Sequence, residues 1–350
     1  MTIIPHSRPM LGSSEIESFD RVIRSGMIAQ GAMTARFEEN FCGAFGLGRG
    51  AAVSSGTAGL HLALLALEVG PGDEVIIPSF VCTALLNAVN YVGAAPVLTD
   101  IDPETLNIDP RDVEQRISPR TKAMIVPHLF GLPADMEGLL KLDIPIIEDC
   151  AQAVGGQYKG QPLGGFGRLA VFSFYATKVM TTGEGGLVSS QDEALIERIR
   201  DLREYDHRSD YRLRYNYKMT DLQAALGLSQ LKRLSGFIRR RRFIAQRYTE
   251  ALGRFNITLP RLDPGCIFFR YVIRMPEDTG GWITLLSRQG ITCARPVFKP
   301  LHEYLGLGGY ERTDAAWLSA LSIPIYPSLS DDEIERIVGA LETCLERPLS

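Results

Sequence analysis

The sequence lacks several features that would mark a specialised class of protein. No apolar run approaches the roughly 20 residues of a membrane-spanning helix, and residues 1–6 lack the basic and apolar segments of a secretory signal. The six cysteines are scattered without a CxxC pair, which is not the spacing of a metal site and argues against disulfides. We therefore expect a cytoplasmic protein with reduced thiols and no bound metal.

An excess of charge of one sign is also missing. The 37 Lys and Arg residues are balanced by 41 Asp and Glu residues, so the chain lacks the basic surface of a nucleic-acid-binding protein. Hydrophobic residues make up 45% and charged residues 22%, a balance typical of folded globular proteins rather than disordered ones. The length of 350 residues suggests about two domains.

Short apolar segments alternate with helical patterns in the first half of the chain. The segments that resemble strands are 51–54, 74–78, 95–99, 123–127 and 145–148. The helical patterns are 14–25, 34–46, 59–67, 82–92 and 136–142. Continuously apolar strands between helices predict an α/β fold with a mostly parallel sheet that is covered on both faces.

Polar residues follow several of these predicted strands. Ligands of parallel sheets bind beyond the carboxyl ends of the strands. We therefore expect Ser55–Thr57, Ser79–Cys82, His128 and Asp149 to share one rim of the sheet. A further apolar strand at 169–174 leads into a loop that carries Lys178, and the strand at 187–189 that follows is predicted to be antiparallel to it.

The second half of the chain has a different pattern. A long helical pattern at 219–252 is followed by a strand at 268–274 and helices at 282–289 and 331–344, which predicts a smaller α+β unit. We expect a large domain over 1–235, with residues up to about 12 packing on the other unit, and a small C-terminal domain over 236–350. The arginine run 239–242 is interpreted as a solvated helix face or a subunit contact, with phosphate binding as the less favoured alternative.

A carboxylate, an amine and a potential phosphate site are predicted on the same rim. By itself, Asp149 would more often be a structural acceptor, and a lone lysine such as Lys178 usually lies on the surface. Their neighbours change this interpretation, because Ser173 is a hydroxyl suited to phosphate and Ser55–Thr57 opens a helix that can hold an anion. Pyridoxal 5′-phosphate (PLP) requires this combination: a lysine for the Schiff base, a carboxylate for the ring nitrogen and a phosphate anchor.

Six segments resemble, in order, motifs of the DegT/DnrJ/StrS family of sugar aminotransferases, which are fold-type I PLP enzymes. They are Ser54–Leu64 (phosphate turn), Ile147–Ala153 (cofactor strand), Phe172–Gly186 (lysine loop), Tyr215–Ala225 (dimer crossing), Arg295–His302 and Leu321–Pro327. The resemblance covers almost the whole chain. It implies a mostly parallel, seven-stranded sheet between helices together with a smaller C-terminal α+β domain.

The resemblance also implies roles for individual residues. Lys178 would be the Schiff-base lysine and general base, and Asp149 would pair with the pyridine nitrogen. The other implied cofactor-binding residues are Thr57, the Ala58 amide and Ser173 at the phosphate, Gln152 at the ring hydroxyl, Cys82 over the ring, and Asn216 at the phosphate of the neighbouring subunit. The family usually has an aromatic residue in place of Cys82, although a polarizable sulfur can cover a ring face. Phe80 is the candidate to compensate.

The implied activity is transfer of an amino group from glutamate or glutamine to a keto sugar, linked to a nucleotide, by a ping-pong mechanism in a homodimer with shared sites. Such a reaction belongs to polysaccharide or antibiotic biosynthesis. Two alternatives stay open: an aminotransferase acting on an unlinked keto-cyclitol or another carbonyl of an antibiotic pathway, and a non-catalytic PLP-binding regulator. His128, His302 and Tyr326 are candidates for the substrate pocket wall, or else core or turn residues.

Overall fold

A computed structural model describes residues 2–346 of the chain. The helices are α1 (Ser13–Ser25), α2 (Ala32–Phe45), α3 (Gly56–Ala66), α4 (Ala84–Tyr91), α5 (Pro110–Arg116), α6 (Met136–Leu140), α7 (Glu193–Leu202), α8 (Asp221–Leu252), α9 (Thr279–Arg288), α10 (Leu301–Leu305), α11 (Glu311–Ser319) and α12 (Asp331–Glu346). The strands are β1 (Arg49–Val53), β2 (Glu74–Pro78), β3 (Ala95–Thr99), β4 (Thr121–Pro127), β5 (Ile146–Asp149), β6 (Gln157–Tyr158), β7 (Gln161–Pro162), β8 (Leu169–Ser173), β9 (Gly186–Ser190), β10 (Tyr271–Arg274) and β11 (Ala320–Ile323).

Seven strands form one sheet in the order β1-β9-β8-β5-β4-β2-β3. Pairing is parallel from β8 through β5, β4 and β2 to β3, whereas β9 is antiparallel to both of its neighbours. Successive strand residues such as Val75 and Ile76 belong to different buried clusters, so both faces of the sheet are covered. The predicted mostly parallel, seven-stranded α/β sheet is therefore confirmed.

Local sequence explains where these elements begin. Strands β2 and β3 have the predicted bounds, and the turn before β2 contains Gly72 at φ = 94°, a conformation that favours glycine. Helix α3 begins before its apolar pattern does, because the Ser55 hydroxyl accepts a hydrogen bond from the Ala58 amide and caps the helix. No helix within residues 2–346 is both long and apolar enough to cross a bilayer.

The residues after α8 build a second hydrophobic core around the two-stranded antiparallel sheet of β10 and β11. Ile4 lies in this core and pairs with Ile291, so the start of the chain packs on its C-terminal part. Helix α8 runs without a break through residue 235 and contributes to both halves of the molecule. We retain the two domains, 1–235 and 236–350, as a proposal.

The arginine run 239–242 is not simply a solvated face. Arg241 is buried and donates hydrogen bonds of 2.9–3.2 Å to the carbonyl oxygens of Phe268, Phe269 and Ile325. Consecutive helix positions point in different directions, so one of these arginines faces the irregular segment before β10, whose carbonyls need donors. The expectation of a solvated face or subunit contact is therefore wrong for Arg241.

Candidate active site

Residues at the ends of the parallel strands lie on one rim of the sheet, as predicted. Strand β1 runs parallel to β8, since both are antiparallel to β9. Ser55 follows β1, Ser79 follows β2, His128 follows β4, and Asp149 and Ser173 end β5 and β8. The carboxyl ends of parallel strands meet at the same edge, which is the position for a ligand in an α/β sheet.

The N-terminus of α3 and the end of β8 together form a cradle for an anion. A Cβ atom at Gly56 would lie 2.9 Å from the Cβ of Ser173, so only glycine lets the Ser173 hydroxyl lie this close to the helix terminus. Thr57 and Ala58 occupy the first turn, where the helix dipole favours a negative group. The Ala58 amide is bonded to Ser55, so a bound phosphate would share or replace that bond.

Glu148 holds the loop beside β5 in place. Its buried carboxylate accepts hydrogen bonds from His128 Nε2 at 3.2 Å and from the amides of Gly164, Phe166 and Gly167 at 2.7–2.8 Å. Burial raises the pKa of Glu148, but the bond from His128 and the loop amides outweigh it, so the pKa lies below its usual value. This structural role of Glu148 was not predicted from the sequence, although a second carboxylate on an apolar strand, next to Asp149, was a signal for it.

Asp149 is the next residue on the strand and has a different environment. Its Oδ1 accepts a hydrogen bond from the Ala151 amide at 3.0 Å. Burial raises the pKa of Asp149, and the Ala151 amide and the more distant Lys178 and His128 offset this only in part. A buried carboxylate with so few donors is suited to a cationic partner, such as a protonated pyridine nitrogen.

Lys178 lies in the loop between β8 and β9, on the same side as Asp149. Its amide donates to the carbonyl oxygen of Tyr175 at 2.9 Å, and its Nζ lies 5.3 Å from the ring centroid of Phe269. Burial lowers the pKa of Lys178, and the attraction of Asp149 opposes that shift only in part, so more of the amine is neutral. Among residues 2–346, Lys178 and Asp149 influence each other without a direct ion pair.

Gln152 is fixed at the edge of this site by a close approach of three segments. Its Oε1 accepts a hydrogen bond from the Phe130 amide at 2.8 Å, which leaves its NH₂ group as the donor available to a ligand. The approach requires Gly131 (φ = 86°), because a Cβ there would lie 2.6 Å from Ile267 and 3.2 Å from the Gln152 carbonyl oxygen. The geometry is compatible with the role proposed for Gln152 at a ring hydroxyl.

Cys82 and Phe80 differ in access to the site. Cys82 is exposed to the cleft, yet the protein around it desolvates its thiol and raises its pKa, with Asp149 and Lys178 both within electrostatic reach. Phe80 is completely buried and packs edge-on against Phe130. Phe80 therefore does not compensate at the ring, and we retain Cys82 as the proposed ring contact.

Asn216 lies on an exposed segment between two stacked tyrosines. The rings of Tyr215 and Tyr217 are 5.1 Å apart and both pack against His61. Side chains alternate along an extended chain, so Asn216 points away from the surface on which the tyrosines pack, and it is exposed. The role of Asn216 at the phosphate of a neighbouring subunit stays a proposal.

The three candidates for a substrate pocket wall are buried. His128 donates to Glu148 and accepts from the Ala134 amide at 3.1 Å, so both ring nitrogens are used inside the protein. His302 lies 2.7 Å from the Ser79 hydroxyl, and Tyr326 is completely buried in the core around β10. The structure therefore favours their interpretation as core residues over a role in the pocket wall.

The family model of the DegT/DnrJ/EryC1/StrS aminotransferases matches residues 9–342. The chain belongs to this family. It is 36% identical to GDP-perosamine synthase of Caulobacter vibrioides over 90% of this chain and 91% of that protein. It is also 36% identical to the spore coat polysaccharide biosynthesis protein SpsC of Bacillus subtilis, with 97% of this chain and 96% of that protein covered.

Solved structures agree with this assignment. Spr1654 of Streptococcus pneumoniae, described as a sugar aminotransferase and solved in its PLP form, is 30% identical and superimposes with a TM-score of 0.94 over 99% of this chain and 100% of that one. The same protein in its pyridoxamine phosphate (PMP) form has a TM-score of 0.93, with 98% of each chain covered. The chain is therefore an aminotransferase that depends on PLP. The anion cradle, the carboxylate of Asp149 and the amine of Lys178 are the groups that this cofactor requires, so the residues of the site fit it.

Proposed function

We propose that this enzyme transfers an amino group from glutamate or glutamine to a keto sugar that is linked to a nucleotide, in a ping-pong reaction. The names of its relatives support this, since one is a synthase of a GDP-linked sugar and another belongs to polysaccharide biosynthesis. The observation that carries the proposal is the position of Lys178 and the buried carboxylate of Asp149 on one rim of the sheet, next to the anion cradle at α3. Burial lowers the pKa of Lys178, which suits a group that exchanges protons.

Each side chain has a defined task in this proposal. The cofactor, when bound, supplies an electron-withdrawing ring that stabilises negative charge at the carbon losing its proton. The Lys178 Nζ takes that proton and returns it, which a neutral amine with a lowered pKa can do near neutral pH. Asp149 holds a positive charge on the ring nitrogen, and Thr57 and Ser173 hold the phosphate at the α3 terminus.

We also propose a homodimer in which Asn216 completes the site of the partner. Its outward orientation supports this, and so does a row of exposed apolar residues on α1 at helical spacing: Ile16, Phe19 and Ile23. A cytoplasmic location is proposed as well. It agrees with the free thiols of the cysteines Cys42, Cys82, Cys150, Cys266 and Cys293.

A substrate panel tests the proposal. The enzyme in its PMP form is mixed with nucleotide-linked 3-keto and 4-keto sugars, unlinked keto-cyclitols and buffer alone, and the return of the aldehyde-form absorbance is followed. We expect return with at least one nucleotide-linked sugar. Return with only the unlinked compounds would identify the alternative acceptor class, and no return with any carbonyl compound would contradict the proposed acceptor.

A further inference from the structure

Arg270 lies beside Lys178 and is part of none of the motifs singled out in the sequence. Its Cζ is 4.7 Å from the ring centroid of Phe269, and the Nζ of Lys178 is 5.3 Å from the same centroid. The Cζ of Arg270 and the Nζ of Lys178 are therefore no farther apart than the sum of these two distances. Arg270 is also close enough to contribute to the lowered pKa of Lys178.

The guanidinium of Arg270 has no acidic partner within residues 2–346. Its side-chain hydrogen bond, 3.3 Å long, goes to Nδ1 of His6. Other arginines that are largely buried have acceptors of their own: Arg203 pairs with Glu38, and Arg241 donates to three carbonyl oxygens. Burial lowers the pKa of Arg270 to about 10, so it remains a cation, and it has no counter-ion in the part of the chain that the structure describes.

His6 orients Arg270 without neutralising it. Since an arginine can only donate, Nδ1 of His6 is the acceptor, and Nε2 lies 2.8 Å from the Ser322 hydroxyl. Burial, and then the charge of Arg270, lower the pKa of His6 to about 3, so its ring is neutral at physiological pH.

The backbone that carries Arg270 is held firmly. Arg241 binds the carbonyl oxygens of Phe268 and Phe269, and the Arg270 amide donates to the carbonyl oxygen of Phe130 at 3.3 Å. Phe268 has φ = 51°, so the chain turns immediately before β10, which begins at Tyr271 and not at residue 268 as expected. This turn directs the side chains of residues 269 and 270 towards the site.

We propose that Arg270, oriented by His6, binds a carboxylate of the amino-acid donor while the α-carbon of the donor faces the Nζ of Lys178. The inference rests on the proposed transaminase function and adds the group that recognises the donor. Every amino-acid donor carries a carboxylate a few bonds from its nitrogen, whereas a keto sugar need not carry one. The planar guanidinium matches a carboxylate with two parallel hydrogen bonds, and no carboxylate within residues 2–346 forms an ion pair with it.

The test compares the donor half-reaction of the PLP-loaded enzyme with that of Arg270→Gln, which keeps a polar side chain but removes the charge. Arg270→Lys retains the charge, and Arg274→Gln, at the end of the strand that follows Arg270, is the matched control. We expect Arg270→Gln to raise the concentration of donor needed for half-maximal rate by about 30-fold or more with a much smaller change in the maximal rate. Arg270→Lys should recover part of the loss, and Arg274→Gln should resemble the wild type.

Binding of glutarate, which has two carboxylates but no amine, provides a readout without turnover. Calorimetry on the loaded enzyme should show that Arg270→Gln weakens glutarate binding by a similar factor. An equal loss for glutamate and glutamine assigns Arg270 to the α-carboxylate, and a loss for glutamate alone assigns it to the γ-carboxylate. No binding of glutarate to the wild type, unchanged values in Arg270→Gln, or a loss confined to the keto-sugar half-reaction would overturn the proposal.

His6 is tested as a positioning residue. His6→Leu should weaken donor binding about fivefold, and His6→Asn, whose side-chain oxygen can replace Nδ1, should restore it. Equal weakening by both variants would show that the ring does not act through that acceptor. If the wild type transaminates and Arg270→Gln is unaffected, the inference fails alone. If neither glutamate nor glutamine reacts with the wild type, the proposed function fails. Glutarate binding then still decides whether Arg270 holds a carboxylate.

Discussion

Glu148 and Asp149 are neighbours on one strand, yet they lie in opposite surroundings. Glu148 accepts hydrogen bonds from His128 and from three loop amides, and its pKa falls below the usual value despite its burial. Asp149 accepts one amide from within the chain, and its pKa rises because burial dominates. The first carboxylate stabilises the fold, whereas the second one is held ready for a ligand at a cost in stability.

The same distinction separates other polar groups of the molecule. Arg203 forms an ion pair with Glu38, and Arg241 donates to three backbone carbonyl oxygens. Arg270 and Lys178, in contrast, form no direct ion pair among residues 2–346. Buried polar groups without partners are costly, so a cluster of them around one cleft indicates a ligand site. Variants at each kind of position can test this distinction.

The largest effect is expected at Lys178. Lys178→Ala should reduce transamination by several orders of magnitude, because the Nζ of Lys178 is the group proposed to take and return the proton. Its thermal unfolding should stay close to that of the wild type, since Lys178 has no ion pair to lose among residues 2–346. Lys159→Ala, an exposed lysine paired with Glu137, is the control and should be fully active. Substantial activity in Lys178→Ala would show that the lysine has been assigned wrongly.

Asp149→Asn should lower the transamination rate by about 100-fold or more, because the charge that holds the ring nitrogen protonated is lost. The free energy of unfolding of the cofactor-free protein should be unchanged or higher, since the asparagine keeps the acceptor for the Ala151 amide and carries no buried charge. Denaturant unfolding measures this. A clear loss of stability would place Asp149 in the same class as Glu148.

Glu148→Gln should lower the free energy of unfolding by about 1–3 kcal/mol, because a charged acceptor of four donors is replaced by a neutral one. The two variants should also differ in their pH dependence. The contribution of Glu148, whose folded pKa is lowered, is present above its ordinary pKa of 4.5 and is lost as the pH falls through the folded value. Unfolding curves from pH 7 to acid check this.

The pH dependence of Asp149 should have the opposite sign. The folded pKa of Asp149 lies above its ordinary value of 3.8. The stability that the protonated carboxyl contributes to the folded protein is therefore fully present below pH 3.8 and is lost as the pH rises through the folded pKa. Any gain in stability in Asp149→Asn should therefore disappear in acid, just as the deficit of Glu148→Gln does. If Asp149→Asn and Glu148→Gln changed the free energy of unfolding in the same direction at every pH, the contrast between the two carboxylates would be contradicted.

Asn216→Ala should weaken retention of the cofactor about fivefold, since an exposed side chain without a partner in residues 2–346 is proposed to serve the neighbouring site. At a PLP concentration too low to load most of Asn216→Ala, mixed dimers of this variant with Lys178→Ala should regain about half of the wild-type activity measured at the same concentration, because one of two shared sites is intact. Confirmed mixed dimers that stay inactive would count against a shared site.

The smallest effect is expected at Cys82. Cys82→Ala should weaken PLP binding about two- to fivefold, which is the scale of one contact between a sulfur and an aromatic ring. Cys82→Phe should bind PLP at least as tightly as the wild type, because a stacked aromatic replaces the thiol. Fluorescence titration of the cofactor-free protein measures both. An unchanged affinity in Cys82→Ala would remove Cys82 from the site.

Local sequence predicted most of the sheet and the positions of its loops. Apolar runs and glycine turns placed β2 and β3 at their observed bounds, and the order of the motifs placed Asp149 and Lys178 on one rim. Helices α5, α7, α10 and α11 were not predicted. A signal for α7 was present, because Asp192 caps it and Ile196 and Ile199 form its buried stripe.

The sequence alone determined the fold class and the chemistry of the rim, because strand patterns and helix caps depend on residues that are close together along the chain. Tertiary structure decided which polar groups are satisfied. Glu148 and Asp149 look alike in sequence, but the donors of Glu148 come from a loop that folds back on the sheet. His6 and Arg270 meet beside Lys178 only because the start of the chain packs on its C-terminal part.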